Sequence, residues 1–382
     1  MKRNDKEREC VRRIIPVPAT NRALSSRPES GAGFVLAAVL WIVAILALIA
    51  AFAVRWVGAG LERGFTTRAR VEAVRQAEEA RATALYWLTT RYLSHRGLEV
   101  VSGPDLAAAQ GRDIFSASDT GNSYIALDDR PYRYGNGLIR FQDDHGLLPL
   151  GHTSPADWSR VLGALGVPEE DREPMIARLR DYVEPGAFKS VNGAAAGDYE
   201  AAGRPVPSGA PMATPWELRK VLTWEALDRG AFASSPIYEL VSATPLPPGS
   251  TPVLNLNNAP PAVLGVLPAL DGDVIAKLVA ARRQQPFDTT AQAELVSGVP
   301  LPNTLHQFLF LPADSFRLGM TAAGSPFERV MSIRLTPTAP DRPWQVGYML
   351  DLPPFPDHVF QNTTDVLDLP DPTRLSTPSR RG

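Results

Sequence analysis

From Gly31 to Val54 the chain reads GAGFVLAAVLWIVAILALIAAFAV, 24 residues without a charge. At about 1.5 Å per residue, the 21 residues Phe34–Val54 predict a helix of about 31 Å, the thickness of a bilayer's hydrocarbon core. Arg55 closes the run, and the pattern then changes from uniformly apolar to periodic. Apolar residues recur at Leu61, Phe65, Ala69, Ala73, Ala77, Ala80, Ala84, Leu88 and Tyr92, in steps of four or three that form one helical stripe. Arg68, Arg70, Glu72, Arg75, Glu78, Glu79 and Arg81 fill the other side. No Pro interrupts the segment, and Gly58, Gly60 and Gly64 weaken the helix without forbidding it. The spacing predicts a single helix from Phe34 to Leu93, roughly 90 Å long. Its first half suits lipid, and the stripe on its second half, from Phe65, Ala69, Ala73 and Ala77 onward, suits a globular partner surface in the same chain.

Further along, Tyr132–Tyr134 and Leu138–Phe141 alternate like paired strands around Gly135-Asn136-Gly137. Phe327–Leu335 and Trp344–Leu350 read as two more strands joined by a Pro-rich loop. Between these regions lies a diverged repeat. Val161-Leu162-Gly163 precedes Ile176-Ala177-Arg178-Leu179, and Val263-Leu264-Gly265 precedes Ile275-Ala276-Lys277-Leu278, in the same order and about a hundred residues on. Pro353–Gly382, dense in Pro, Asp and Thr, reads as a tail with little order.

Charge and composition narrow the classes. Met1–Gly33 holds eight Lys/Arg and four acids, a net +4, while the whole chain balances 39 Lys+Arg against 41 Asp+Glu. The basic leader favours a cytoplasmic N-terminus. Ala51-Phe52-Ala53 has the small-x-small form of a secretory cleavage site, but the apolar run exceeds the roughly 7–15 residues of a signal. A signal also has no reason to continue in phase into the mature protein. The lone Cys10 excludes an intramolecular disulfide or a thiolate metal cluster, and the five His lack an i,i+4 pair. No P-loop, Rossmann, HExxH or Gly-x-Ser-x-Gly signature occurs, so the reading is not an enzyme. Asp143-Asp144-His145 is the one tight acid/His cluster, and it falls at an expected turn.

Gly33-Phe34-Val35-Leu36, behind a basic leader and ahead of an apolar helix that becomes amphipathic, resembles the start of a type IV pilin-like protein. The resemblance implies cutting by the prepilin peptidase between Gly33 and Phe34 and methylation of the new amine. Most such proteins carry Glu at the fifth mature position; here it is Ala38. An unpaired carboxylate in lipid is costly, so a subunit with nothing above it to pair with gains by losing the acid. That departure resembles the K class of minor pseudopilins (GspK family) of type II secretion. Asp143-Asp144-His145-Gly146-Leu147-Leu148-Pro149-Leu150 is similar to a degraded copy of a motif found there, and Val253-Leu254-Asn255-Leu256-Asn257-Asn258-Ala259 to a nearly intact one. The two repeats resemble the helix-hairpin-helix-like (SAM-like) units that this class inserts into its sheet domain.

The fold so implied is α+β, with a leader (1–33), the transmembrane and amphipathic helix (34–95), a small antiparallel sheet (96–142 and 313–352), an inserted helical domain (143–312, units near 143–215 and 250–300) and the tail (353–382). The function implied is a minor pseudopilin at the tip of the secretion pseudopilus, which initiates or caps assembly for export of folded periplasmic proteins across the outer membrane. Ala38 would mark topmost placement. Other minor pseudopilins and the prepilin peptidase would be partners, in the inner membrane as a single pass with the C-terminal domain periplasmic. Asp181, Glu184, Asp198 and Glu200, around a Gly-rich loop, are oxygen donors of the kind Ca²⁺ takes, and the K class holds calcium near this loop. The reading from a different class is a membrane-anchored periplasmic module that binds DNA through a helix-hairpin-helix hairpin, here Pro268–Asp273 with Arg282 and Arg283 nearby. Asp271 and Asp273 repel phosphate there, so no nucleic acid is expected.

Overall fold

A computed structural model describes residues 32–100, 124–184, 189–225, 227, 237–246, 250–268, 270–301, 307–322, 325–353 and 366–370. The leader up to residue 31 and most of the C-terminal tail lie outside the described residues. The chain divides into two units, Met1–Phe65 and Thr66–Gly382. One helix, α1 (Ala32–Thr90), runs from the first into the second.

In the first unit the described residues are all helical, and the large apolar side chains from Val35 to Phe65 are exposed. Among the described residues, this is the one helix long and apolar enough to cross a membrane. Length and composition fit a single-pass anchor.

In the second unit, α1 presents Ala73, Ala77, Ala80, Ala84, Leu85, Trp87 and Leu88 as a buried face. The stripe is thus covered from Ala73 on, later than expected, since Phe65 and Ala69 are exposed. A small antiparallel sheet follows: β1 (Leu93–Ser94), β2 (Gly97–Glu99) and β3 (Tyr124–Ile125). The predicted hairpin is β4 (Asp128–Tyr134) and β5 (Gly137–Asp143), with Tyr134 opposite Gly137. Gly135 takes the left-handed φ of 59° that a two-residue hairpin turn requires at its first position.

The chain leaves this sheet at Asp143 and returns at Ser315. Two similar excursions lie between. The first opens on β6 (Leu148–Pro149), continues through α2 (Pro155–Ala164), α3 (Glu169–Val183) and α4 (Ala196–Ala201), and closes on β7 (Val241–Ser242), parallel to β6. The second opens on β8 (Val253–Leu254), continues through α5 (Pro261–Leu264), α6 (Gly272–Gln284) and α7 (Thr290–Ser297), and closes on β9 (Gln307–Phe308), parallel to β8. Ser154, Asp271 and Thr289 cap α2, α6 and α7 with side-chain acceptors, and Gly298 ends α7 at φ 73°. Repeat positions fill matching places: Val161, Leu162 and Leu179, like Val263, Leu264 and Leu278, are buried in one apolar core.

On return the chain adds β10 (Ser315–Ala322), β11 (Glu328–Leu335), β12 (Trp344–Leu352) and β13 (Leu367–Asp368). The sheet order is β12-β11-β10-β5-β4-β13, antiparallel except that β13 runs parallel to β4. The fold is α+β. The segment read as an unstructured tail therefore contributes a strand, and Leu369 behind it is buried. A second core, Trp87, Leu88, Ile139, Phe141, Phe316, Leu318, Met331 and Ile333 among others, fills the space between α1 and the sheet.

Candidate functional site

Two places concentrate the sequence-predicted residues. In the first unit, Gly33 and Phe34 lie in the opening turn of α1 and Ala38 one turn later. Among the described residues no acid precedes Glu62 on this helix.

The second place is where the sheet meets the insert. There the degraded and the intact copies of the motif come together around Asp143, the last residue of β5, which is fully buried. Its Oδ1 accepts the backbone N–H groups of His145 (3.1 Å) and Ala313 (2.8 Å). Its Oδ2 accepts the side-chain amides of Asn255 (3.1 Å) and Asn258 (2.8 Å). Burial pushes the Asp143 carboxyl up, and the nearby His145, the Asn258 amide and the backbone N–H groups of Ala313 and His145 work against that push. One carboxylate therefore ties together the end of β5, the turn after it, the asparagine-rich loop and the entry to β10. Asn255 N–H also donates to the His145 carbonyl (2.8 Å), and Gln142 Nε2 to the Asn258 carbonyl (3.0 Å). Gly146 allows this approach, because a Cβ there would stand 2.5 Å from the Asn258 carbonyl oxygen.

The asparagine loop is held from its other side. Asn257 donates to the carbonyls of His95 (3.2 Å) and Phe287 (2.9 Å) and accepts from Phe287 N–H (2.8 Å). Arg282 donates to the carbonyls of Leu256 (2.6 Å) and Ala259 (2.7 Å), with Asp128 4.0 Å away. A buried charge cluster continues the junction across the sheet. Arg140 joins Asp129 and Glu328, each at 2.5 Å, and Arg317 donates to the carbonyls of Tyr238 (3.1 Å) and Glu239 (2.5 Å). Burial works against the charge of Arg140, and Asp129 and Glu328 more than restore it.

The arrangement suits mechanical coupling. It fixes the insert on the sheet with directional bonds whose loss leaves buried polar groups unpaired. Asp143 entered the sequence reading within an acid/His cluster and as the first residue of the degraded motif copy, and His145 meets it through backbone N–H, not as a catalytic imidazole. Gln142 was missed, and Arg282 was read as one of two basic residues near the hairpin. The detectable signal was the motif in duplicate: one copy supplies the acid and the other the amides.

The four acids considered for calcium are not gathered. Asp181 Oδ2 accepts Ser190 N–H (3.0 Å) and Ala194 N–H (3.1 Å), and Gly193 packs against it. Asp198 Oδ2 accepts Ala195 N–H (2.8 Å) and the Lys189 ammonium (3.0 Å), which hold its carboxyl below the usual range. Glu184 and Glu200 are exposed. Among the described residues no group of three or more His, Cys, Asp or Glu is placed to hold a metal ion. The DNA-binding alternative loses half its local charge: Arg282 is buried on carbonyls, Asp271 is spent capping α6, and Arg283 alone stays exposed.

No family model and no curated protein matches this sequence. The structure is similar to a chain in the crystal structure of the GspK-GspI-GspJ complex from the enterotoxigenic Escherichia coli Type 2 Secretion System, at 14% identity and a TM-score of 0.45, over 76% of this chain and 99% of that one.

Proposed function

We propose that this chain is a minor pseudopilin of the K class, placed at the tip of a type II secretion pseudopilus. The observation that carries the reading is one uninterrupted helix, Ala32–Thr90, with Gly33-Phe34 in its first turn and Ala38 where pilin-like subunits carry Glu. The prepilin peptidase cuts between Gly33 and Phe34, and the freed apolar helix packs among those of other minor pseudopilins in the inner membrane. The N-terminus faces the cytoplasm and the second unit the periplasm. Without an acid near Ala38, the helix has no carboxylate to offer a neighbour's amino terminus, which suits a subunit with nothing above it. The insert, pinned to the sheet at Asp143, is a bulky, stiffly mounted cap. The protein works by assembly, for the export of folded proteins, and not by catalysis.

The test is the N-terminal residue of the membrane-extracted protein, read by mass spectrometry. The mature chain is expected to begin at Phe34 with a methylated amine, and Gly33→Leu to block its appearance. A chain beginning near Val54, or normal leader removal in Gly33→Leu, overturns the reading.

A further inference from the structure

The sequence holds two Asn-Gly pairs, Asn136-Gly137 and Asn192-Gly193. A glycine after asparagine has no Cβ to shield its nitrogen, so in water this nitrogen attacks the asparagine side chain more readily than that of any other residue. Both asparagines are exposed, but the fold holds them differently. Asn192 Nδ2 donates to Glu173 Oε2 on α3 (2.7 Å), and Gly193 N–H donates to the Ser190 carbonyl (3.0 Å). Asp181 Oδ2 closes the same loop by accepting Ser190 N–H (3.0 Å) and Ala194 N–H (3.1 Å). The nucleophile and the leaving amide are thus both tied down.

Asn136 is the second residue of the turn between β4 and β5, with Gly135 at φ 59° before it and Gly137 paired to Tyr134 after it. Packing requires Gly137, because a Cβ there would stand 2.2 Å from the Thr321 carbonyl oxygen on β10. The residue that makes Asn136 reactive is therefore one the sheet needs. Freeing the Gly137 nitrogen takes only fraying of the hairpin's last pair. The tip also holds α1. Thr83 Oγ1 donates to Tyr134 Oη (2.9 Å), and Arg75, Glu79, Tyr134 and Asn136 line a cavity of about 240 Å³ between helix and turn.

We propose that Asn136 is a site of spontaneous conversion to isoaspartate, which unlocks the β4–β5 tip from α1. The Gly137 nitrogen bonds to Asn136 Cγ, the Cγ–Nδ2 bond breaks, and Nδ2 leaves as ammonia with the Gly137 amide proton. Water then opens the cyclic imide. Attack at Cγ gives aspartate. Attack at the backbone carbonyl carbon gives isoaspartate, whose main chain runs through Cβ and Cγ and is one carbon longer. A two-residue turn lengthened in this way no longer sets Tyr134 opposite Gly137. The proposal rests on the hairpin and is independent of the pseudopilin reading.

The test incubates the full chain in detergent in warm, mildly alkaline buffer and maps its peptides by mass spectrometry, with fragmentation that separates aspartate from isoaspartate. In the folded protein residue 136 is expected to convert about tenfold faster than residue 192, and in urea the two should convert at equal rates. Equal rates in the folded protein, or a residue 136 that converts only in urea, overturn the proposal. Hydrogen exchange reads the consequence. The converted protein should lose protection at Tyr134 and Leu138, whereas Asn136→Asp, which gains the charge without the extra carbon, should keep it. Protection retained in the converted protein, or lost equally in Asn136→Asp, overturns the unlocking.

Discussion

The two faces of the main sheet are buried alike but held differently. Toward α1 stand Ile139, Phe141, Phe316, Leu318, Met320, Met331 and Ile333, packed on Ala84, Trp87 and Leu88. On the same strands, facing the insert, stand Arg140, Gln142, Arg317, Glu328 and Ser332, also buried. Strict alternation of apolar and polar residues ordinarily marks a sheet with one face in water. Here the polar face is covered by the insert's carbonyls and amides. The apolar face is held by filled volume, which any well-shaped hydrocarbon supplies. The polar face is held by bonds with fixed partners, so it specifies one seat for one insert.

Breaking the junction where β5 ends and the insert begins is expected to have the largest effect. Asp143→Ala leaves two backbone N–H groups and two asparagine amides without their acceptor, at a cost of about 5 kcal/mol. Urea unfolding followed by separate probes of sheet and insert should show the two transitions parting company. Coincident transitions in Asp143→Ala would mean that the apolar interfaces alone couple the regions. Phe141→Ala, one turn of the pleat away on the apolar face, is expected to cost about 3–4 kcal/mol by cavity formation. Its unfolding should stay a single transition, because it weakens the sheet that both faces share.

This difference between the faces also explains what could be read in advance. The long helix, the β4–β5 hairpin and the two C-terminal strands follow from apolar periods and from the Gly135 turn, which are local signals. Strand β10 went unread although Ser315–Ala322 alternates strictly, with Phe316, Leu318, Met320 and Ala322 at every second position; its signal was present and was overlooked, and only the finished fold shows that the side carrying Arg317 is buried as well. The start of the packed stripe was placed too early, since periodicity shows which face is apolar but not where a partner surface begins. Strand β13 is two residues long and depends on the β4 edge being open, which is a property of the finished sheet. At the junction, the repeat identified Asp143, Asn255 and Asn258 as members of one motif. Only their meeting in space shows that the degraded copy supplies the acceptor for the intact copy's donors.

A charge pair within the polar face sharpens the contrast. Arg140→Met strands Asp129 and Glu328 in a buried setting and is expected to cost about 3 kcal/mol. Adding Glu328→Leu should recover at least half of that, since an apolar pair replaces an ion pair with little loss. A double-mutant cycle by chemical denaturation measures the coupling, and strictly additive losses would show that the pair does not act as a unit.

The smallest effect expected is a pH dependence confined to the polar side. Burial alone would raise the Asp128 carboxyl, but its two 2.7 Å hydrogen bonds from Arg130, and the charges of Arg130 and Arg282, hold it below the usual range. A depressed folded-state value means that the unfolded chain binds the proton more readily, so the contribution is present above the unfolded pKa of about 4 and is lost as pH falls below it. Between pH 6 and pH 3 the wild-type protein should therefore lose about 1–2 kcal/mol more stability than Asp128→Asn, measured by urea unfolding at each pH. Phe141→Ala, on the apolar face, should keep the wild-type slope. If Asp128→Asn keeps it too, Asp128 does not carry the acid sensitivity, and the hydrogen bonds around it are replaced by water at no cost when it is protonated.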